Sequence, residues 1–387
     1  MSSFIDTKNC GVEGLTFDDV LLLPGFADFY RDTVTTEVFL HPTIKLNLPV
    51  LSSPMDTVTE STMAITMASN GGLGVIHRSM TIADQVKNLT EVKSFVSENP
   101  DRAVDSQGRL LCATAVGASP DFEDRIKALI EAETDLFVLD TAQGFAQYII
   151  DYIKTIKSMT AIPVMAGNIV TYDGAMALME AGADILRVGM GPGSICTTRI
   201  VTGVGVPQLT AISEVKRAVM DFEIKTGRAI KVIADGGIKQ IGDIAKAIAF
   251  GADAVMLGSL LAGFDQCPGE LITLEGKSYK FYRGMGSIGA MQKGGAARYG
   301  QTGNSAKKLV AEGVEGIVGY KGDVEDFLFQ INGGLKSACY NIGGKNLTEF
   351  QDKVKYVEIT SASFRESMPH SINIVSGGNS FLGRITD

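Results

Sequence analysis

Short apolar runs rich in β-branched residues recur along the chain, and each ends in small or polar residues. There are eight: "PVLSSPMD", "GLGVIH", "LLCATAVG", "LFVLDTAQG", "IPVMAGN", "ILRVGMG", "KVIADGG" and "AVMLGS". Between most of them, segments such as "DRIKALIEAE", "DGAMALMEAGA" and "IGDIAKAIAFGA" carry apolar residues at three- and four-residue spacing, which is typical of helices. Strand and helix alternating eight times predict an α/β fold, the (β/α)8 TIM barrel.

The spacing of the runs shows where this barrel carries long connections. The strand centres lie near positions 52, 74, 113, 139, 165, 187, 233 and 256, so the intervals after strands 2 and 6 are much longer than the rest. The first interval contains the polar stretch "SENPDRAVDSQGR", and we predict a short linker over 78–110. The second contains "GPGSICTTRI", so Cys196 lies on the loop that leaves strand 6. Because loops at the carboxyl ends of barrel strands carry the active site, we expect chemistry on this loop.

The periodicity is lost after strand 8. The stretch "YRGMGSIGAMQKGGAARYGQTGNSAKK" is rich in glycine and serine and predicts a mobile flap, assigned to 284–320. The stretch "VEDFLFQINGGLKSACYNIG" predicts a closing helix, and a tail over 360–387 contains "FRESMPH". We therefore predict a single barrel domain over 1–387.

Composition and charge narrow the classes of function. Hydrophobic residues make up 45% of the 387 residues and the net charge is −9, which disfavours a dedicated nucleic-acid surface because phosphate neutralisation needs clustered Lys and Arg. The first residues, "MSSFIDTKNCGVEG", lack the basic and apolar regions of a signal peptide, and Lys246 and Asp253 interrupt the most apolar window. We expect a cytoplasmic protein without nucleic-acid or membrane partners.

Cysteine and histidine usage limits the possible chemistry. The five cysteines form no CxxC pair and the three histidines are scattered, which suits neither a disulfide framework nor a zinc or His-based metal centre. Cys196 is either a small buried hydrophobe or a nucleophile whose thiolate is stabilised by the polar, glycine-flanked loop and nearby Arg199. Thr198 either bonds its own backbone or relays a proton.

Two glycine signals follow strands 7 and 8, where barrels bind phosphate. Asp235, Gly236 and Gly237 follow strand 7, and Gly258 and Ser259 follow strand 8. Glycine lets a phosphate oxygen approach backbone amides closely, and an adjacent aspartate suits a ribose diol, although each glycine also fits an ordinary turn.

Three further polar residues stay ambiguous on their spacing alone. Arg298 and Tyr299 lie on the predicted flap, and Glu312 follows them in "AEGVEG". Surface arginines and glutamates are usually solvated, so spacing by itself favours no catalytic role.

Together these stretches resemble the inosine-5′-monophosphate dehydrogenase and GMP reductase family. The matching segments run through nearly the whole chain: "GLTFDDVLLLPG", "SSPMDTVTE", "GLGVIHRSM", "AGNIVT", "VGMGPGSICTTRIVTGVGVPQ", "VIADGGI", "VMLGSLLAG", "YRGMGSIGAM", "RYGQ", "EGVEG", "YKG" and "FRESMPH". The resemblance implies a dehydrogenase of guanine nucleotide biosynthesis that oxidises IMP to XMP with NAD as the hydride acceptor.

The resemblance also implies a mechanism. Cys196 would attack C2 of the purine, and transfer of hydride to NAD⁺ would leave a covalent thioimidate, E–XMP*. The flap would then enter the vacated nicotinamide site, where Arg298, assisted by Tyr299, would activate water for hydrolysis. Thr198 with Glu312 would form a second proton route.

The resemblance assigns ligand sites by position. The phosphate, ribose and purine of IMP would be held by Met55, Ser194, Asp235, Gly236, Gly237, Gly258, Ser259, Tyr282, Met285, Gly286 and Glu312. NAD would be held by Asp140, which binds the nicotinamide ribose, and by Thr141, Asn168 and Gly189. K⁺ would be held by Gly191, Gly193 and Cys196, together with Glu366, Ser367 and Met368 of the neighbouring subunit, which implies a homotetramer.

Three departures from the family pattern stand out. The short linker replaces the tandem cystathionine-β-synthase-like regulatory module that most dehydrogenases of the family carry between strands 2 and 3, so allosteric control through that module should be absent. Gln143 stands where many bacterial members have histidine, which leaves inhibitor selectivity at the NAD site open. Met368 replaces a common histidine.

Two alternative functions remain. GMP reductase shares the cysteine loop and lacks the regulatory module, but it has no counterpart of the Arg298 and Tyr299 pair, carries glutamate at the position of Ile288, and usually ends before "FRESMPH". A catalytically silent nucleotide-binding barrel is the other alternative, and the intact cysteine loop argues against it.

Overall fold

The eight apolar runs form parallel strands that close into a barrel. The structure, a computed structural model, describes residues 13–292, 299, 301 and 308–372. Strands β1 to β8 are Val50–Ser52, Leu73–Ile76, Cys112–Val116, Leu136–Asp140, Val164–Ile169, Ile185–Val188, Lys231–Asp235 and Ala254–Leu257. Each strand pairs with the next in parallel, and β8 closes the barrel on β1. Every predicted strand centre lies inside its strand, so the predicted (β/α)8 fold is confirmed.

Helices connect the strands and surround the barrel. Helices α1 to α12 are Ser61–Ser69, Ile82–Ser94, Phe122–Glu131, Gln147–Met159, Tyr172–Ala181, Thr198–Thr202, Gln208–Thr226, Ile241–Ala249, Ile288–Gln292, Glu325–Ile342, Leu347–Lys353 and Ser361–Glu366. Local signals set several ends: the Thr171 hydroxyl accepts the Gly174 amide at the start of α5, and Gly182 ends α5 with a φ of +114°. The helices predicted after strands 3, 5, 7 and 8 are therefore confirmed as α3, α5, α8 and α10.

Side chains of the strands alternate between two apolar cores. Leu51, Val75, Val138 and Met256 belong to the cluster that fills the barrel interior. The neighbouring strand residues, such as Val255, point outward and pack against the helices. Because both faces are buried, the strands read as continuous apolar runs, which is why the sequence reveals them.

Shorter antiparallel strands lie outside the barrel. One pair, Val38–His41 with Ile44–Leu46, contributes Leu40, Ile44 and Leu46 to the interior cluster. A second pair joins Val20–Leu22 to Tyr356–Glu358 and so connects the two ends of the described chain. A third sheet has the order Leu271–Leu274, Lys277–Arg283 and Glu315–Gly319.

Two predicted segments need correction. The linker assigned to 78–110 includes α2, which buries Leu89 and Val92 against the barrel, so only the part after α2 is a connection. The flap assigned to 284–320 is not a single irregular loop, because α9 begins at Ile288 and Glu315–Gly319 is a strand of the third sheet. Residues 293–298, 300 and 302–307 of that segment lie outside the described residues. Nowhere in the described ranges is a helix long and apolar enough to cross a membrane.

Candidate active site

A pocket opens at the carboxyl ends of the barrel strands. It encloses about 930 Å³, its open mouth included, which is in the range of small-molecule sites. The residues predicted from the sequence that line it are Met55, Thr141, Asn168, Gly189, Gly191, Gly193, Ser194, Cys196, Thr198, Asp235, Gly236, Gly237, Gly258, Ser259, Tyr282, Met285, Gly286, Tyr299 and Glu312. The structure therefore brings together residues that lie far apart in the sequence, at the end of the barrel where chemistry is expected.

A hydrogen-bonded chain of three side chains faces this pocket. The Cys196 thiol donates to Thr198 Oγ1 at 3.3 Å, and the Thr198 hydroxyl donates to Glu312 Oε2 at 2.8 Å. A nucleophile next to a group that accepts its proton, with a third group behind it, is the arrangement used in nucleophilic catalysis. The arrangement gives the thiol proton a path to a carboxylate.

Backbone contacts hold this chain in place. The Thr197 amide donates to the Glu312 carbonyl at 3.0 Å, and the Val314 amide donates to the Ile195 carbonyl at 3.0 Å. Cys196 and Gly313 form the β-bridge between the two segments. The loop leaving β6 is thus registered against the segment that carries Glu312, which fixes the distance between the thiol and the carboxylate.

Cys196 differs in its surroundings from the other three cysteines that the structure describes. Cys112, Cys267 and Cys339 are buried, and burial raises the pKa of each thiol, to about 11 for Cys339. Cys196 is partly exposed and lines the pocket. Of the two interpretations of Cys196, the geometry favours a nucleophile over a small buried hydrophobic residue.

Arg199 has a structural role in the cysteine loop. Its Nε donates to the Met190 carbonyl at 3.0 Å, and its other end donates to the Val206 carbonyl. A Cβ at Gly191 or Gly205 would lie within 2.7 Å of the Arg199 side chain, so both positions require glycine. Burial lowers the pKa of Arg199, and proximity to Cys196 opposes that shift. Arg199 therefore closes the loop on itself and is not aimed at the thiol.

Arg187 connects two carboxylates at the base of the pocket. Its Nη1 donates to Asp140 Oδ1 at 2.7 Å and its Nε to Asp235 Oδ2 at 2.9 Å, and only 2% of the residue is exposed. Asn168 Nδ2 also donates to Asp235 Oδ2, at 2.8 Å. Because Asp235 lies at the end of β7 and Asp140 at the end of β4, Arg187 on β6 joins the ends of three strands of the barrel. Sequence reasoning missed Arg187, although an arginine inside the apolar run "ILRVG" signals a paired cation.

The turns after β7 and β8 present backbone amides without protein partners. Within the described residues, the amides of Gly236, Gly237, Gly258 and Ser259 donate to no backbone or side-chain acceptor. Gly236 and Gly237 have φ values of +90° and +80°, a conformation that favours glycine. Such a nest of amides suits an anion, and it consists of residues for which the sequence predicted a phosphate cradle.

Tyr282 and Met55 close the wall beside this cradle. A Cβ at Gly258 would lie 3.1 Å from the Tyr282 hydroxyl oxygen and 3.3 Å from Met55 Sδ, so the wall packs tightly against the glycine. Burial raises the pKa of Tyr282, and a hydrogen bond with Ser194 opposes that shift. The phenol therefore stays neutral and can donate to an anion.

Tyr299 packs against Gly286 at the mouth of the pocket. A Cβ at Gly286 would lie 2.6 Å from Tyr299 Cζ, so a larger residue there would displace the ring. Met285 and Glu312 line the same part of the pocket. Arg298, predicted as the partner of Tyr299, lies outside the described residues.

The residues expected at the NAD site lie at two depths: three of them line the pocket and Asp140 lies beneath it. Thr141 and Gly189 line the pocket, and the Asn168 side-chain oxygen is buried without a hydrogen-bond partner, as expected for a group that binds a ligand. Asp140 does not line the pocket. It is 2% exposed and bonded to Arg187, so it lies beneath the pocket floor, and a direct contact with a ribose requires its side chain to move.

The carbonyls expected at the K⁺ site fit a hard cation. The Gly191 and Cys196 carbonyls accept no hydrogen bond within the described residues, while the Gly193 carbonyl accepts the Cys196 amide at 3.1 Å. Carbonyl oxygens are ligands of K⁺ in proteins. Glu366, Ser367 and Met368 do not line the pocket of their own chain, and Met368 Sδ lies 3.8 Å from Gln240 Nε2. Among the described residues, no three His, Cys, Asp or Glu side chains form a metal-binding group.

Comparison with known proteins agrees with these observations. The family model of the IMP dehydrogenase / GMP reductase domain matches residues 14–370. Inosine-5'-monophosphate dehydrogenase of Cryptosporidium parvum is 42% identical over 399 residues, covering 95% of this chain and 98% of that protein. The protein of the same name from Borreliella burgdorferi is 41% identical over 399 residues, covering 93% and 97%.

A longer relative bears on the missing module. Inosine-5'-monophosphate dehydrogenase of Rhizobium tropici is 38% identical over 490 residues, covering 97% of each chain. That alignment exceeds the 387 residues of this chain by 103 positions, so the relative contains a substantial insertion that has no counterpart here. The difference is consistent with the short connection between β2 and β3.

Proposed function

Because the chain belongs to the IMP dehydrogenase / GMP reductase family, we propose that it oxidises IMP to XMP with NAD⁺ in guanine nucleotide synthesis. The observation that carries the proposal is the hydrogen-bonded chain of Cys196, Thr198 and Glu312 in a pocket with an amide cradle. The overall reaction consumes IMP, NAD⁺ and water and yields XMP, NADH and a proton.

Substrate binding uses the two ends of the pocket. The phosphate of IMP binds the amides of Gly236, Gly258 and Ser259, which donate to no protein acceptor within the described residues. The Asp235 carboxylate, held by Asn168 and Arg187, accepts hydrogen bonds from the ribose hydroxyls. With these two groups anchored, the purine extends along the wall toward Cys196.

Cys196 then forms the covalent bond. The thiol proton leaves through Thr198 to Glu312, and the sulfur attacks C2 of the purine as the C2–H bond breaks. The nicotinamide ring, when bound beside Thr141, Asn168 and Gly189, supplies the acceptor for the hydride that leaves C2. The product on the enzyme is a thioimidate between Cys196 and the purine.

Hydrolysis releases the product. Water attacks C2 of the thioimidate, the C–S bond breaks, and the Cys196 sulfur leaves with its electron pair. Arg298, assisted by Tyr299, takes the proton of the attacking water, and Thr198 with Glu312 offers a second route for it. Tyr299 lies in the pocket beside Gly286, which is close to where water must enter.

The remaining features of the proposal concern ions and assembly. K⁺ held by the Gly191, Gly193 and Cys196 carbonyls, with Glu366, Ser367 and Met368 of a neighbouring subunit, keeps the cysteine loop in its active shape within a homotetramer. We also propose that the protein is cytoplasmic and acts without nucleic-acid or membrane partners.

GMP reduction is the second candidate because the family includes both activities. Release of ammonia from GMP needs no hydrolytic base, whereas this chain carries Arg298 and Tyr299 and has Ile288 where the reductase carries glutamate. The pocket position of Tyr299 supports the dehydrogenase.

Replacing Arg298 by alanine should slow hydrolysis without preventing hydride transfer. We expect a burst of one NADH per active site followed by a steady rate about 10²–10³-fold below wild type, the usual contribution of a general base. Stopped-flow absorbance of NADH separates the two phases. Lys308→Ala removes another cation from the same segment and should leave both phases unchanged. Equal loss of burst and steady rate in Arg298→Ala contradicts the assignment.

A paired assay tests the reaction itself. The purified protein is given IMP, NAD⁺ and K⁺ in one reaction and GMP with NADPH in another, and nucleotides are separated by chromatography. Formation of XMP with NADH supports the proposal. Consumption of NADPH with release of IMP and ammonia makes the protein a reductase, and absence of both reactions favours the silent barrel.

A further inference from the structure

A lysine from outside the barrel holds the turn that follows β8. Lys321 Nζ donates to the Ser259 carbonyl at 3.2 Å and to the Leu260 carbonyl at 3.0 Å. The Lys321 amide also donates to the Gly263 carbonyl at 3.0 Å. Both ends of Lys321 therefore contact the same turn, whose pocket side carries the amides of the phosphate cradle.

The bond to the Ser259 carbonyl orients one particular amide. In a trans peptide the C=O and N–H groups point in opposite directions, so a Ser259 carbonyl directed at Lys321 turns the Leu260 amide the other way. That amide donates to no acceptor within the described residues, although Leu260 is only 6% exposed. An amide without a partner is costly in a residue this buried, and the two residues before it, Gly258 and Ser259, line the pocket, so the Leu260 amide is a candidate donor to a ligand bound there. Sequence reasoning did not include Leu260 in the cradle.

Within the part of the chain that the structure describes, the partly buried Lys321 ammonium has no anionic partner. No carboxylate of the described residues lies within ion-pair distance, and the other close group is the Phe264 ring, 5.2 Å from Nζ. Burial lowers the pKa of Lys321 to about 8. Keeping an unpaired cation in such a place has a cost in folding free energy, and an anion bound on the far side of the turn offsets it.

We propose that Lys321 is a positioning residue for the substrate phosphate, which it serves by holding the Ser259–Leu260 peptide so that the Leu260 amide joins the cradle. The inference rests on the proposed function, because it requires a phosphate at the turn after β8. Lys321 does not touch the phosphate; its charge polarises the peptide and adds positive potential behind it.

Lys280 provides a matched control on the same turn. Lys280 is buried, and its Nζ donates to the carbonyls of Asp265 and Cys267, farther along the turn. Loss of either lysine removes an ammonium and leaves two carbonyls unsatisfied, so both variants should lose stability. Only the Lys321 variant should lose affinity for phosphate.

The pH dependence of phosphate binding follows from the lowered pKa of Lys321. Below pH 8 Lys321 is charged and binding of a phosphate dianion is favoured; above pH 8 the proton is lost and affinity falls. The turn packed against Lys321 also carries Cys267 and Asp265, and the adjacent strand carries Lys280. At each pH, the affinity of wild type for IMP is divided by that of Lys321→Met. This ratio cancels the contributions of the neighbouring groups and of the substrate phosphate, which titrates near pH 6.

Steady-state kinetics of Lys321→Met, Lys321→Arg and Lys280→Met tests the inference. For Lys321→Met we expect the KM for IMP and the inhibition constant of inorganic phosphate to rise about tenfold, with kcat and the KM for NAD⁺ within about twofold of wild type. Lys321→Arg should recover most of the affinity, and Lys280→Met should retain it. The advantage of wild type over Lys321→Met should diminish between pH 7 and pH 9.

Two outcomes overturn the inference and are distinct from failure of the proposed function. If Lys280→Met raises the KM for IMP as much as Lys321→Met does, the lysines only stabilise the turn. If the ratio of the IMP affinity of wild type to that of Lys321→Met is constant from pH 7 to pH 9, the Lys321 ammonium does not act on the phosphate. If wild type itself forms no XMP from IMP and NAD⁺, the proposed function fails before Lys321 is tested.

Discussion

Replacement of Cys196 by alanine should lower kcat for IMP oxidation by at least about 10⁴-fold while IMP still binds. The account makes the thiol the nucleophile, and removal of a nucleophile in hydrogen-bonded triads costs rates of this order. The phosphate cradle and Asp235 are untouched by the change, so calorimetry should show binding of IMP within about tenfold of wild type. The decisive quantity is NADH formed in a single turnover with excess enzyme.

The control for this variant is Cys339→Ala. Cys339 is buried in α10, on the outside of the barrel, and does not line the pocket. The Cys339→Ala substitution should lower the free energy of unfolding by about 1 kcal/mol, because it leaves a small cavity, and it should leave kcat unchanged. If Cys196→Ala still forms NADH at a rate near that of wild type, hydride transfer does not require a covalent bond and the mechanism must be abandoned.

Replacement of Arg187 by methionine should damage both binding and stability. Methionine approximates the volume of the side chain but leaves the carboxylates of Asp140 and Asp235 without their shared partner. Loss of one member of a buried ionic network typically costs about 3–5 kcal/mol of folding free energy. Because Asp235 loses its orientation, the KM for IMP should rise about 10²-fold or more. Denaturant unfolding and steady-state kinetics measure the two effects.

A second substitution separates charge from shape at Arg187. Adding Asp140→Asn to Arg187→Met removes one of the two carboxylate charges that Arg187 pairs with, so part of the lost stability should return while the KM for IMP stays high. Arg228→Met is the exposed control, since Arg228 lies 3.7 Å from Asp184 near the surface and such pairs contribute at most about 1 kcal/mol. An Arg187→Met protein as stable as wild type would show that the network is not a structural element.

The barrel was predictable because each strand is buried on both faces. A strand such as Val164–Ile169 contacts the interior on one side and helices on the other, so its residues form a short apolar run bounded by polar ones. The turns after β7 and β8 were predictable because glycines mark them. The backbone at Gly236, for example, has a conformation that other residues rarely adopt.

Long-range pairing explains the errors outside the barrel. The strands Lys277–Arg283 and Glu315–Gly319 pair with each other across the segment predicted as a flap, and nothing in a glycine-rich sequence signals a partner so far away. Helix α2 was hidden by the polar residues around it, although Leu89 and Val92 lie at helical spacing and are buried.

The roles of Asp140, Arg187 and Arg199 illustrate the same limit within the site. A sequence shows which residues carry charge, but the pairing of Arg187 with Asp140 and Asp235 exists only when β4, β6 and β7 close into the barrel. Likewise, Arg199 is near Cys196 in sequence, but its guanidinium is used by two backbone carbonyls. Proximity in sequence therefore did not reveal the backbone partners of Arg199 or the carboxylate partners of Arg187.

Detection of the covalent intermediate on Cys196 is the most direct test of nucleophilic catalysis by this residue. The protein is mixed with IMP and NAD⁺, quenched with acid within the first turnover, digested and analysed by mass spectrometry, with Arg298→Ala used to accumulate the intermediate. The account predicts a purine nucleotide attached to the peptide that contains Cys196, formed only when NAD⁺ is present and absent from Cys196→Ala. NADH formation at the wild-type rate with no nucleotide on that peptide at any time would contradict it.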